Sequence, residues 1–117
     1  MRKTVATPGA PAAIGPYSQA VWAGDLLFVS GQICMDPKTG ALVGKTAAEQ
    51  ADQVLRNLGA ILESQGLSFA NVVKATVYAE DMNDFQAVNE VYARFFIEVA
   101  RLPKDVLVEV DAIAVKG

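Results

Sequence analysis

Side chains able to do chemistry are few in this chain, and their types narrow the reactions at once. Histidine is absent, which removes imidazole metal ligands and both the Ser-His-Asp and Cys-His forms of nucleophilic catalysis. The lone Cys34 has no basic neighbour in sequence to activate it as a nucleophile. Lys74 lies in an apolar strand-like run; it has the chemistry of a Schiff-base amine, but a solvated lysine is the plainer reading. Glu109 and Asp111 are two residues apart, so both point to one face of their strand. A carboxylate within an apolar strand is costly unless it is paired or used, and for one of the two a solvent-facing position is sufficient explanation. Ser30, Gly31 and Gln32 interrupt another apolar run, and glycine inside a strand marks a bulge or a close backbone approach to a ligand. Tyr17 follows "IGP" at a strand start, where its phenol either faces a cleft or caps the core. Asn89 sits mid-helix among apolar residues, a poor helix former suited equally to tying down a loop or to touching a ligand.

The elements that must position these groups can be read from periodicity and punctuation. Residues 1–7 read as a short strand, ended by the Pro- and Gly-rich "PGAPAAIGP". Strands over Tyr17–Trp22 and Leu26–Ile33 flank "AGD", a hairpin turn, and "MDPKTGALVG" is a loop. Thr46 and Glu49 form a capping box. Ala51, Val54, Leu55, Leu58, Ile61 and Leu62 follow at helical spacing, and Gly66 ends that helix. "NVVKATVYAE" is a strand. "DMNDF" opens a second helix, capped by Asp81 or Asn83, with Phe85, Val88, Tyr92 and Phe95 on one face. "DVLVEVDAIAV" is the last strand. The order predicts one α+β domain over 1–117, with a mixed sheet and two helices on one face.

The chain is 117 residues long, 52% hydrophobic, and carries a formal net charge of −3. No apolar run is long enough to span a bilayer, and a cytoplasmic location is expected. Scattered Lys and Arg in an acidic chain argue against nucleic acid as a partner. Two helices cover one sheet face, yet several strands are apolar on both. Leu27 and Val29 lie opposite Leu26 and Phe28, and Val73, Ala75 and Val77 lie opposite Val72 and Tyr78. An exposed apolar face of this size predicts a homo-oligomer that buries it.

"APAAIGPYSQAV", "FVSGQI", "DPKTG", "NVVKATVY", "DMNDFQAVNEVY" and "VARLPKDVLVEVDAIAV" together resemble the Rid (YjgF-like) family, also known as translation inhibitors or L-PSP endoribonucleases. The resemblance spans nearly the whole chain. It implies a chorismate-mutase-like subunit in a homotrimer whose sheets form a central barrel, with clefts between subunits. It further implies cofactor-free, metal-free hydrolysis of small 2-imino acids, or their enamines, to 2-oxo acids and ammonia. Carried over by position, Glu109 would place or activate the attacking water, with Tyr17, Ser30, Gly31 and Asn89 binding substrate. Three chains of this charge would repel RNA, against an endoribonuclease activity.

One departure from the family pattern stands out. The sequence runs from "FFI" directly into "EVARLPKD", so that between Ile97 and Glu98 a dozen or so residues, including a "PARS"-like motif, have no counterpart. That motif supplies the family's carboxylate-gripping arginine; Arg101 matches a different position. Either the segment is truly deleted, or the sequence as numbered closes over it. A true deletion would favour a non-catalytic trimer that binds small carboxylic acids or serves a regulatory role.

Overall fold

The computed structural model describes residues 2–13, 15–78, 82–95 and 109–117. Strands β1 (Arg2–Val5), β2 (Ala20–Ala23) and β3 (Leu26–Gln32) precede helix α1 (Ala47–Ser64). Strand β4 (Val72–Tyr78), helix α2 (Phe85–Phe95) and strand β5 (Glu109–Val115) follow. The first helix forms where its signals lie. Thr46 Oγ1 accepts from the Glu49 backbone N–H at 3.2 Å, while the Glu49 carboxylate accepts from the Thr46 N–H at 3.1 Å. The backbone N–H groups of Lys45 and Thr46, with the Thr46 hydroxyl, hold the Glu49 carboxyl below its ordinary range. At the other end, Gly66 turns left-handed at φ 73°. Its N–H reaches Glu63 O, and the Leu67 N–H reaches Leu62 O, at 3.0 and 2.9 Å. This Schellman closure satisfies two carbonyls the helix would otherwise leave open.

Five strands form one sheet in the order β1-β2-β3-β5-β4, and every described pairing is antiparallel. The mixed sheet expected from the element order is therefore corrected. The α1 crossover does join two strands of like direction, β3 and β4, because both run antiparallel to β5. They are not neighbours, since β5 inserts between them and removes the parallel contact. Strand boundaries are shorter than expected at β2, which begins at Ala20 rather than Tyr17. The expected cap Asp81 and the junction 96–108, including Arg101, lie outside the described residues.

Both helices contribute to the core on one side of the sheet. Leu55, Leu58, Ile61 and Leu62 of α1 are fully buried with Leu27, Val29, Val110, Ala112 and Ala114, each large side chain contributing about 1.5–3 kcal/mol. Val88, Val91 and Tyr92 of α2 join the same cluster, and Phe95 meets Phe69 edge-on at 5.5 Å. The other face stays open. Registered across it are Val21, Phe28, Ile113 and Lys74 in one row, with Leu26 and Val115 beside them. Phe28 is 43% exposed. In β4 the expected alternation is corrected: a register shift between Val72 and Lys74 puts Val72 on the helix side with Ala75 and Val77 and leaves Val73 60% exposed. Among the described residues no helix is long and apolar enough to cross a membrane.

Two outcomes follow from this packing. Thr46→Ala should lower the unfolding free energy by about 1 kcal/mol in urea titration, the usual loss for a helix cap. Burial pushes the Tyr92 phenol up to about 12, so folding keeps it protonated where the unfolded chain would ionise. Its contribution to stability is intact below about pH 10 and declines as pH rises towards 12. Chemical denaturation across that window should show a shallower decline for Tyr92→Phe.

Candidate functional site

The end of β3 departs from regular pairing in a way that builds a cleft. Val29 pairs with Ala112 and Gln32 with Val110, so Ser30 and Gly31 together oppose the single residue Asp111. This is the bulge that glycine in an apolar strand suggested, and such a bulge bends its strand. Two bonds tie it to the segment before β2. The Ser30 N–H donates to Gln19 O at 3.0 Å, and the Ser30 hydroxyl donates to Ser18 O at 2.6 Å. The Ser30 proton is thus engaged in holding the wall, and what Ser30 and Gly31 offer the cleft is largely backbone.

Gln19, buried and polar, fixes the opposite wall. Its Oε1 accepts from the Thr7 N–H at 2.6 Å, and its Nε2 donates to the carbonyls of Thr7, Ala10 and Pro11 at 3.0, 3.1 and 2.8 Å. One side chain thereby replaces the backbone pairing that a Pro-rich connector cannot make for itself. Beyond β3, Met35 bridges Leu42, and Asp36 Oδ1 accepts from the Lys38 and Thr39 N–H groups at 2.7 and 3.1 Å. The "DPKTG" turn is closed in this way. Between these walls lies a cleft of about 560 Å³, lined in part by Ala13, Tyr17, Ser30, Gly31, Ile33 and Met35. A volume of this order suits a small ligand.

Of the residues expected at the site, Tyr17, Ser30 and Gly31 come together here. Tyr17 is 71% exposed, its ring standing at the mouth. Asn89 is half-buried on α2, in the helical layer, and does not line this cleft within one chain. Glu109 opens β5, paired with Tyr78 and adjacent to Val110, the partner of Gln32. Its backbone therefore lies next to the floor of the bulge. Two buried amides escaped the sequence reading, Gln19 and Asn57. Asn57 carried a legible signal, because it falls at the spacing of the apolar α1 stripe, three residues after Val54 and four before Ile61. Among the described residues no cluster of three or more acidic or thiol side chains could hold a metal ion.

The family can be decided by comparison with known proteins. The endoribonuclease L-PSP family model matches residues 7–116. The chain belongs to the L-PSP family, in its Rid/YjgF branch. As an L-PSP family member it is 52% identical to a RutC family protein of Pasteurella multocida, with both chains fully covered. It is 50% identical to the 2-iminobutanoate/2-iminopropanoate deaminase of Salmonella typhimurium, over 99% of each chain. Among solved structures, TdcF of E. coli with bound serine superposes with a TM-score of 0.86 at 42% identity, covering 98% of this chain and 99% of that one. The Pasteurella alignment runs over 130 positions while this L-PSP chain supplies all of its 117 residues. Thirteen positions of that relative thus have no counterpart here, the size of the gap expected between Ile97 and Glu98.

Gln19→Ala would remove the Gln19 bonds to the carbonyls of Ala10 and Pro11 and to the Thr7 N–H, and leave the Thr7 carbonyl with only a long bond from the Ala10 N–H. It should lower the unfolding free energy by roughly 1–3 kcal/mol, read by urea titration. Amide exchange at Thr7, Gly9 and Ala10 should quicken more than exchange within α1.

Proposed function

We propose that this chain hydrolyses reactive 2-imino acids, or their enamine tautomers, to 2-oxo acids and ammonia, using no cofactor. The observation that carries the reading is the 50% identity, over 99% of each chain, to the Salmonella 2-iminobutanoate/2-iminopropanoate deaminase. The cleft at Tyr17, Ser30 and Gly31 suits a substrate of that size. In the reaction, water adds to the carbon of a protonated C=N bond, and the resulting carbinolamine expels ammonia as the C=O bond forms. A protonated imine is already electrophilic, so placing the water and the substrate is most of the work. Glu109 is assigned that water, and Asn89 a contact to substrate from across a subunit boundary. The Asn89 assignment requires a second copy of the chain, because Asn89 does not line the cleft of its own subunit. The helix-free sheet face, with Leu26 and Phe28 exposed and Ile113 half-buried between them and β4, supports a homotrimer closed around it.

A second reading is favoured by the thirteen alignment positions absent from this chain. If they include the arginine motif, the cleft lacks a guanidinium partner for the substrate carboxylate. Such charge-assisted pairs contribute about 1.5–3 kcal/mol, so their loss would leave a trimer that binds small carboxylic acids without turning them over.

Ammonia release from 2-iminobutanoate, generated in place by a threonine dehydratase, separates the two. The deaminase reading expects the wild-type chain to accelerate release. Glu109→Ala should then reduce turnover by about 10²-fold or more with the oligomer mass by light scattering unchanged. No acceleration by the wild type, with 2-oxobutanoate still bound, would establish the binding protein instead.

A further inference from the structure

Asn57 is the only polar side chain among the buried residues of α1 and is 1% exposed. An amide in that position is costly unless each polar atom finds a partner, and every one does. Nδ2 donates to Ile33 O at 3.0 Å and to Met35 O at 2.9 Å, using both hydrogens. Oδ1 accepts from Gln53 Nε2 at 2.9 Å, which fixes the amide's orientation. The carbonyl between them, on Cys34, faces the other way and accepts from the Val43 N–H at 2.7 Å. An extended strand has this alternation, yet β3 ends at Gln32 and its last described partner on β5 is Val110. A single helix side chain thus acts as a neighbour on the flank of residues 33–35 that faces away from the Met35–Leu42 bridge. Ile33 and Met35, whose carbonyls it holds, both line the cleft, and Ile33 is 44% exposed there.

We propose that Asn57 is a positioning residue that sets the width of the cleft through the Ile33–Met35 wall, and with it the size of the side chain that a bound 2-imino acid can carry. The inference rests on the deaminase reading for its substrate class, while the geometry it depends on belongs to the cleft itself. Neither Asn57 nor Gln53 lines the cleft. Their effect on selectivity therefore has to pass through Ile33 and Met35.

The test compares wild type, Asn57→Ala, Gln53→Ala and Ile61→Ala for ammonia release from 2-iminopropanoate and 2-iminobutanoate, which differ by one methylene. One methylene in a fitted pocket discriminates by about 10–200-fold, so a displaced wall should be visible in the ratio. Asn57→Ala should shift the ratio of kcat/KM between the two imines by about fivefold or more, mainly through KM. Gln53→Ala, which leaves the amide in place but unoriented, should shift it less and in the same direction. Ile61→Ala removes buried volume one turn further along α1 at a residue that does not line the cleft and makes no side-chain hydrogen bond to Ile33 or Met35, and its ratio should stay within about twofold of wild type. Should Asn57→Ala fail to fold, the Gln53 variant carries the comparison. Equal ratios in the Asn57, Gln53 and Ile61 variants would overturn the proposal. If the wild type releases no ammonia, the deaminase reading alone falls, and affinities for pyruvate and 2-oxobutanoate are compared by calorimetry. Asn57→Ala matching wild type in that ratio, or a wild type that binds neither acid, would overturn the proposal too.

Discussion

The two-against-one pairing of Ser30 and Gly31 with Asp111 governs the cleft because it forces β3 to leave the regular ladder while both ends of the strand remain paired. Upstream, Val29 is held between Ala20 and Ala112; downstream, Gln32 still pairs with Val110. The extra residue bends the strand, and the bent backbone meets the carbonyls of Ser18 and Gln19. The Gln19 amide then gathers the Pro-rich connector onto the same place. Without the register shift the two walls would have no common anchor. Local irregularity is here the device that turns a flat sheet end into a concave surface.

Structure was legible in the sequence wherever one residue type does one local job. Thr46, Glu49 and Gly66 announce α1 because capping geometry admits few alternatives. Gly31 announced the bulge for a similar reason. The corrections arise where the determining partner is remote. Nothing near Val72 signals the shift that turns Val73 outward, since that register is set against β5, some forty residues later. The all-antiparallel order depends likewise on β5 choosing the space between β3 and β4. Of the site, Tyr17, Ser30 and Gly31 are brought together by the family resemblance, whose motifs "IGPYSQ" and "SGQ" contain them, and not by strand pairing, since β2 begins only at Ala20. Gln19 carried no signal of its burial, because an amide bonded to backbone carbonyls looks in sequence like any polar residue at an element boundary, whereas Asn57 betrayed its burial by its place in the α1 stripe but not the carbonyls it bonds.

The molecule divides its polar groups between two uses. Inside, the buried amides Gln19 and Asn57 replace missing backbone partners and make irregular segments behave as ordered walls. On the uncovered sheet face, Thr76, Asp111 and Ser30 lie across neighbouring strands beside the apolar row of Val21, Phe28 and Ile113. A self-contained sheet needs apolar side chains only towards its helices. This one carries them on both sides, with Leu26 and Phe28 exposed on the face away from the helices.

The central place of β5 has a consequence for the order of events during synthesis. The last of the described strands in chain order is the one that both β3 and β4 await. A nascent chain emerging from the ribosome can close the β1-β2-β3 meander and form α1 early, since these involve near neighbours. It cannot complete the sheet until residues up to Val115 are clear of the exit tunnel. Until then one flank of β3 and both flanks of β4 stand as open edges, the kind that recruit other chains. The seven-residue strand β5 is thus the step that commits the sheet, and the interval before it emerges is when a chaperone would matter most.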